Sequence, residues 1–309
     1  MSAGTLEKRA GQVKEEHTGR PEDDLLAFGE PFQFDDTKLM PTSTDTLRMA
    51  LLNRFLKGEA RIPQMPEAAV RIKKLLDDPR TSLEQLTRVI AGDPPLAAYL
   101  MQFSNTPLLR GDRACSSLRE LLSRLGTRQL ADLVLGFSLQ NLFTSTEPAL
   151  QQAFRTRWRN ARERAAYCAV LAQRTKLSLD DAMLGGLLQD IGSLPLLSEL
   201  EHWPDVPRDG ETLRELCEQL SGDLGALILT RWQLPSAVIE STRLYGQWQR
   251  QHDGSADLAD LVLLASALQS NAILPEPLPA QAKLGLEPPL AELRQELAGE
   301  LQLWKRLLA

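Results

Sequence analysis

Apolar residues recur along this chain at intervals of three and four. Nowhere do they alternate at every second position for long enough to mark a strand. A backbone patterned this way buries its apolar atoms by laying amphipathic helices side by side. Leu47, Leu51, Leu52 and Phe55 open the series, and Leu290, Leu293, Leu297, Leu301, Trp304 and Leu308 close it. Aromatic residues are only 5% of the 309, so the core is left to Leu, Ala, Val and Ile, which argues further against a β-sandwich. The fold class expected is all-α.

Local signals divide the pattern into elements. Thr81 with Glu84 predicts a capping box ahead of Leu86, Val89 and Ile90. Gly92-Asp93-Pro94 reads as stop, N-cap and first helical residue. Ser117 with Glu120 predicts another start, Gly126-Thr127 interrupts it, and Leu130 to Phe143 runs on as a buried helix. A helix through Trp158, Ala161, Ala165 and Cys168 reaches about Arg174, and Ser178 caps the next. Pro204 to Gly210 is a loop, Thr212 with Glu215 opens a further helix, and Leu258 to Leu268 is helical and apolar. Pro275 to Pro289 reads as a linker to a last amphipathic helix, whose leucine stripe serves packing on its own domain or a homodimer.

Charge separates the N-terminal stretch from the rest. Residues 1–45 hold five basic and ten acidic side chains, about −5 of the net −6, and read as a disordered acidic tail. The short apolar run Leu25, Leu26, Phe28, Phe32, Phe34 within it reads as a loosely attached strap. A chain with 35 Lys and Arg against 41 Asp and Glu lacks the basic footprint of a nucleic-acid binder. No apolar run approaches the ~20 residues of a membrane span, and the N-terminus has no apolar signal core. Cys115, Cys168 and Cys217 stand about fifty residues apart, form no Cys-x-x-Cys pair, and read as core residues of a protein from a reducing cytoplasm. His17, His202 and His252 are expected on the surface, and no serine motif accompanies any of them.

Several stretches in combination carry a resemblance. IPQMPEAAVRIKKLLDDPRTSLEQLTRVIAGDPPLAAYLMQFSN is followed by SSLRELLSRLGTRQLADLVLGFSLQNLF, then DDAMLGGLLQDIGSL and GALILTRWQLPSAVIESTRLY. In this order, from about residue 47 to 270, they resemble the HDOD family of bacterial regulatory domains, relatives of the HD-type metal phosphohydrolases. The resemblance implies a two-lobed helical domain, placed here at 46–272, with 1–45 as the tail and 273–309 as linker and added helix.

The HD relatives hold metal with histidines and aspartates spread over several helices. At the corresponding positions this chain has Asn160 after Trp158-Arg159, Gln189-Asp190 after Gly-Leu-Leu, Ser221 before Gly-Ala, Tyr245, and Ser266 in the late apolar helix. One carboxylate, Asp190, survives among amides, hydroxyls and a phenol, and such a set is expected to hold no catalytic ion. No cofactor and no enzymatic activity are expected, and Asp190 reads as a turn residue. Arg155, Arg159 and Arg162 share a helix face and are candidate contacts for an anion or an acidic partner. Gly185-Gly186 reads as a close approach of two helices.

The function expected is that of a non-catalytic, cytoplasmic signal-transduction module that acts by protein–protein interaction, its partner not specified by any residue. The alternative is a sensor that binds a nucleotide, such as a cyclic dinucleotide, in the remnant pocket without hydrolysis. Arg155, Arg159, Arg162 and Tyr245 would then supply charge and stacking.

Overall fold

The structure is a computed structural model and describes residues 44–103, 115–142, 145–203, 206–270, 274, 276–286 and 288–308. The chain divides into two units, Met1–Thr42 and Ser43–Ala309. The first lies outside the described residues, and with it the expected acidic tail, its apolar strap and His17.

The second unit is helical throughout its described elements, as the periodicity requires. In chain order the helices are α1 (Thr44–Leu56), α2 (Glu67–Asp77), α3 (Leu83–Ala91), α4 (Pro94–Gln102), α5 (Leu118–Leu139), α6 (Pro148–Arg174) and α7 (Leu179–Leu188). There follow α8 (Ser193–Leu200), α9 (Gly210–Arg231), α10 (Ser236–Arg243), α11 (Leu258–Gln269), α12 (Pro279–Lys283) and α13 (Leu290–Leu307). Among the described residues no helix is long and apolar enough to cross a membrane.

The packing gives two lobes. In the first, α2, α3 and α4 lean on α5; in the second, α6 is a central rod against α7, α8, α11 and α13. Contacts of α5 with α7, and of α1 with α9, join them. An Arg54–Glu199 ion pair at 2.5 Å and a bond from Trp232 Nε1 to the Pro63 carbonyl at 3.2 Å add to the seam.

Most helix starts fall where local chemistry puts them. Asp93 caps α4 by accepting from the Leu96 amide, with Pro94 at the first helical position. Ser117 and Ser178 cap α5 and α7. Two starts shift. The box of α3 is Ser82 with Gln85, one residue beyond Thr81 and Glu84. The sequence TSLEQ satisfies the rule in both frames, and the observed frame places Leu86 and Ile90 inward. α9 is capped three residues before Thr212, at Asp209, which accepts from the Glu211 and Thr212 amides.

Gly126 breaks α5 as expected, with φ +74° and ψ 173°, a conformation open to glycine. Gly186 sits where a Cβ would meet Cys168 Sγ at 2.6 Å and Ala165 Cα at 2.9 Å, so α6 and α7 touch backbone to backbone. The Pro-rich stretch is more than a linker. It folds into α12, with Leu278, Ala280 and Gln281 buried. The stripe of α13 packs on its own domain: Leu293 and Leu297 are fully buried against the second lobe. Arg294 donates to the Ala267, Leu268 and Ser270 carbonyls and so closes the C-terminus of α11.

Candidate functional site

The second lobe brings Gln189, Asp190, Ser221, Tyr245 and Ser266 to the junction of α6, the α7–α8 turn, α9, α10 and α11, and Asn160 falls on the same side of α6 as Arg157. Gln189 and Asp190 lie in that turn, fixed by α7 ending at Leu188 and by the Ser193 hydroxyl, which donates to the Asp190 carbonyl at 2.7 Å. The turn lies hard against α9, for a Cβ at Gly192 would meet the Ser221 carbonyl at 2.1 Å. Ser266 of α11 donates to Gln189 Oε1. Gln189, Asp190, Ser221 and Ser266 are buried, and Asn160 and Tyr245 are half-buried.

The counter-charge at this junction is an arginine. Arg157 Nη1 bonds Asp190 Oδ2 at 3.0 Å, with both side chains largely withdrawn from solvent. Burial works to lower the Arg157 pKa, but Asp190, with Cys217 and Tyr245 nearby, outweighs it, so the guanidinium stays charged. Burial pushes the Cys217 thiol up to about 12 and raises the Tyr245 phenol as well; Asp190 and Arg157 act on both. Arg164, also buried, donates from Nε to the Gly186 carbonyl at 2.7 Å. Gln189 Nε2, Asp190 Oδ1 and Arg164 Nη2 are buried atoms with no hydrogen-bond partner among the described groups.

Fitness for a divalent ion follows from this donor set. The surviving carboxylate is already engaged by a guanidinium, and Arg164 adds a second positive charge to the neighbourhood. Two fixed cations repel a metal ion, and an amide, hydroxyls and a phenol bind one weakly. The residues present do not fit the metal that the HD relatives carry. Asp190 is also more than the turn residue expected, since it forms half of a buried ion pair.

Arg155, Arg159 and Arg162 do not line this junction. Positions 157, 160 and 164 fall on one side of α6, and 155, 159 and 162 fall on the opposite side at 100° per residue. Adjacency in sequence to Asn160 therefore does not turn these arginines toward the junction. Arg155 and Arg159 are exposed. Arg162 is half-buried, donates to the Leu308 carbonyl at 2.9 Å and lies 6.0 Å from the Trp158 ring. The same angular rule, applied to every arginine in the run, picks out Arg157 and Arg164 from sequence.

Two further groups had no sequence signal. Arg162 and Trp158 border a separate cleft of about 250 Å³ between α4, α5, α6 and α7, which also takes in Tyr99, Asp132 and Asp180. His252 is not on the open surface: its Nε2 lies 2.9 Å from Asp260 Oδ2, and Lys283 lies 3.3 Å from its Nδ1. With Asp257 these groups offer ligand atoms within 4.8 Å of one another. Arg250 bridges both carboxylates at 2.6–3.0 Å, so the cluster is already neutralised by side chains.

Comparison with known proteins follows this geometry. The HDOD domain family model matches residues 62–247. The fold is shared with a crystal structure of a candidate metal-dependent phosphohydrolase from Shewanella amazonensis SB2B, at TM-score 0.75 and 21% identity over 86% of this chain and 99% of that one. An HDOD domain protein from Geobacter sulfurreducens superposes at TM-score 0.59 and 18% identity, over 85% and 98% of the two chains. A candidate signal transduction protein from Marinobacter aquaeolei VT8 superposes at TM-score 0.52 and 20% identity, over 87% and 66%. Among curated sequences, an uncharacterized protein of Treponema pallidum (strain Nichols) is 23% identical over 197 residues, 60% of this chain. The match spans only 37% of that relative's length.

Proposed function

Because the chain belongs to the HDOD domain family, we propose that it is a non-catalytic bacterial signal-transduction module that works through contacts with a signalling protein. The observation that carries the reading is the Arg157–Asp190 pair, which puts a side-chain cation against the one carboxylate left at the metal position. Hydrolysis of a phosphate ester by an HD-type centre needs a metal-bound hydroxide. Here the charge that would bind the metal is spent inside the protein. Three unpaired, buried cysteines fit a reducing cytoplasm.

The test is elemental analysis of the purified full chain, with hydrolysis of bis-p-nitrophenyl phosphate assayed in Mn²⁺, Mg²⁺ or Zn²⁺. The expected result is no stoichiometric metal and no metal-dependent turnover. One equivalent of retained metal, with turnover that Asp190→Asn abolishes, overturns the reading.

A further inference from the structure

The cleft between α4, α5, α6 and α7 lies outside the remnant metal position, and nothing in the proposed function uses it. Its walls are ring-rich. Tyr99 packs against Phe137 with centroids 5.2 Å apart, and Trp158 faces them from α6. Gly136 keeps the base open to close packing, for a Cβ there would meet Leu187 Cδ2 at 2.9 Å. At about 250 Å³ the space suits a molecule of one or two rings.

One end of the cleft is acidic and unbalanced. Asp132 Oδ2 is buried with no hydrogen-bond partner among the described groups. Asp180 and Asp181 stand close by. Of these, Asp180 accepts from Gln129 at 2.7 Å and Asp181 accepts from Arg128. Arg128 is a cation that acts on Asp132. Arg162, which also lines the cleft, acts on Tyr99. A buried carboxyl oxygen without a partner is costly, and a donor from outside the chain would relieve it.

We propose that this cleft binds a small aromatic amine, with its ring between Tyr99, Phe137 and Trp158 and its ammonium on Asp132. Charge complementarity selects an ammonium over a carboxylate at that end, and electron-rich ring faces favour a cation held beside them. Burial, then Asp180, push the Asp132 pKa up to about 7, so ammonium binding at neutral pH expels a proton from the carboxyl.

Calorimetric titration of the full chain with tryptamine, tyramine and phenethylamine tests this. Tryptophol, which carries a hydroxyl in place of the amine, is the neutral control. Saturable binding is expected for at least one amine, with tryptophol at least tenfold weaker than tryptamine. Asp132→Asn should weaken amine binding at least tenfold while leaving thermal stability at neutral pH equal or higher, which separates lost binding from lost folding. Ala98→Trp, at an exposed position on the cleft mouth, should block entry. Heats measured at pH 7 in two buffers of different ionisation enthalpy should differ for the wild type and not for Asp132→Asn. Absence of saturation by all three amines, equal affinity for tryptamine and tryptophol, or undiminished binding by Asp132→Asn overturns the proposal.

Discussion

Arg157 and Asp190 set the behaviour of the second lobe at the level of single residues. Removing one partner strands the other's charge in a dry site. Arg157→Ala is expected to cost about 3–5 kcal/mol in urea unfolding, whereas the paired change Arg157→Met with Asp190→Leu should recover most of that loss. Asp132 gives a prediction of the opposite kind. Its folded pKa of about 7 stands above the ordinary carboxyl value of 3.8, so the native state binds the extra proton between those values. Stability therefore falls as pH rises through that window, by at most about 1.4 kcal/mol per unit, and levels off above 7. Asp132→Asn should flatten the profile between pH 5 and 8, measured by denaturant unfolding at each pH. Neither Arg157 nor Asp132 was singled out by the sequence alone. Arg157 was legible through helix angles, but Asp132 gains its character only when α7 brings Asp180 beside it, across a contact no local pattern encodes.

At the scale of elements, glycine acts in two ways that one measurement can separate. Gly126 holds φ +74° with open space around it, so the strain of Gly126→Ala lies in the backbone alone and should cost about 1–3 kcal/mol. Gly299 is exposed within α13 and equally open, and Gly299→Ala should stabilise by about 0.5–1 kcal/mol. Thermal unfolding of the two variants checks both signs. The helices themselves were written in the spacing of leucines, and their ends largely in caps such as Asp93 and Ser117. The sequence misled where two caps compete: TSLEQ fits two frames, and Asp209 takes the start from Thr212 because its carboxylate reaches two amides at once. Burial, which no cap encodes, decides such cases.

Across the whole molecule, the C-terminal segment belongs to the second lobe rather than hanging from it. α13 covers α6 and α11, and Arg294 ties it to the end of α11. Leu297→Ala should therefore cost about 2–5 kcal/mol. A chain ended at residue 272 should expose the apolar flank of α6, read as strong binding of a hydrophobic dye. The stripe that could have served a dimer is used internally.

A metal centre has a supplier: it empties under a chelator, fills with whichever ion is abundant, and so reports the state of the solution around it. The guanidinium on Asp190 has no such supplier. It is delivered by translation, at one copy per chain, and no change in the cell's ionic inventory can displace it. Under the proposed function, the charge that sits on Asp190 is therefore the same in metal starvation and in metal excess.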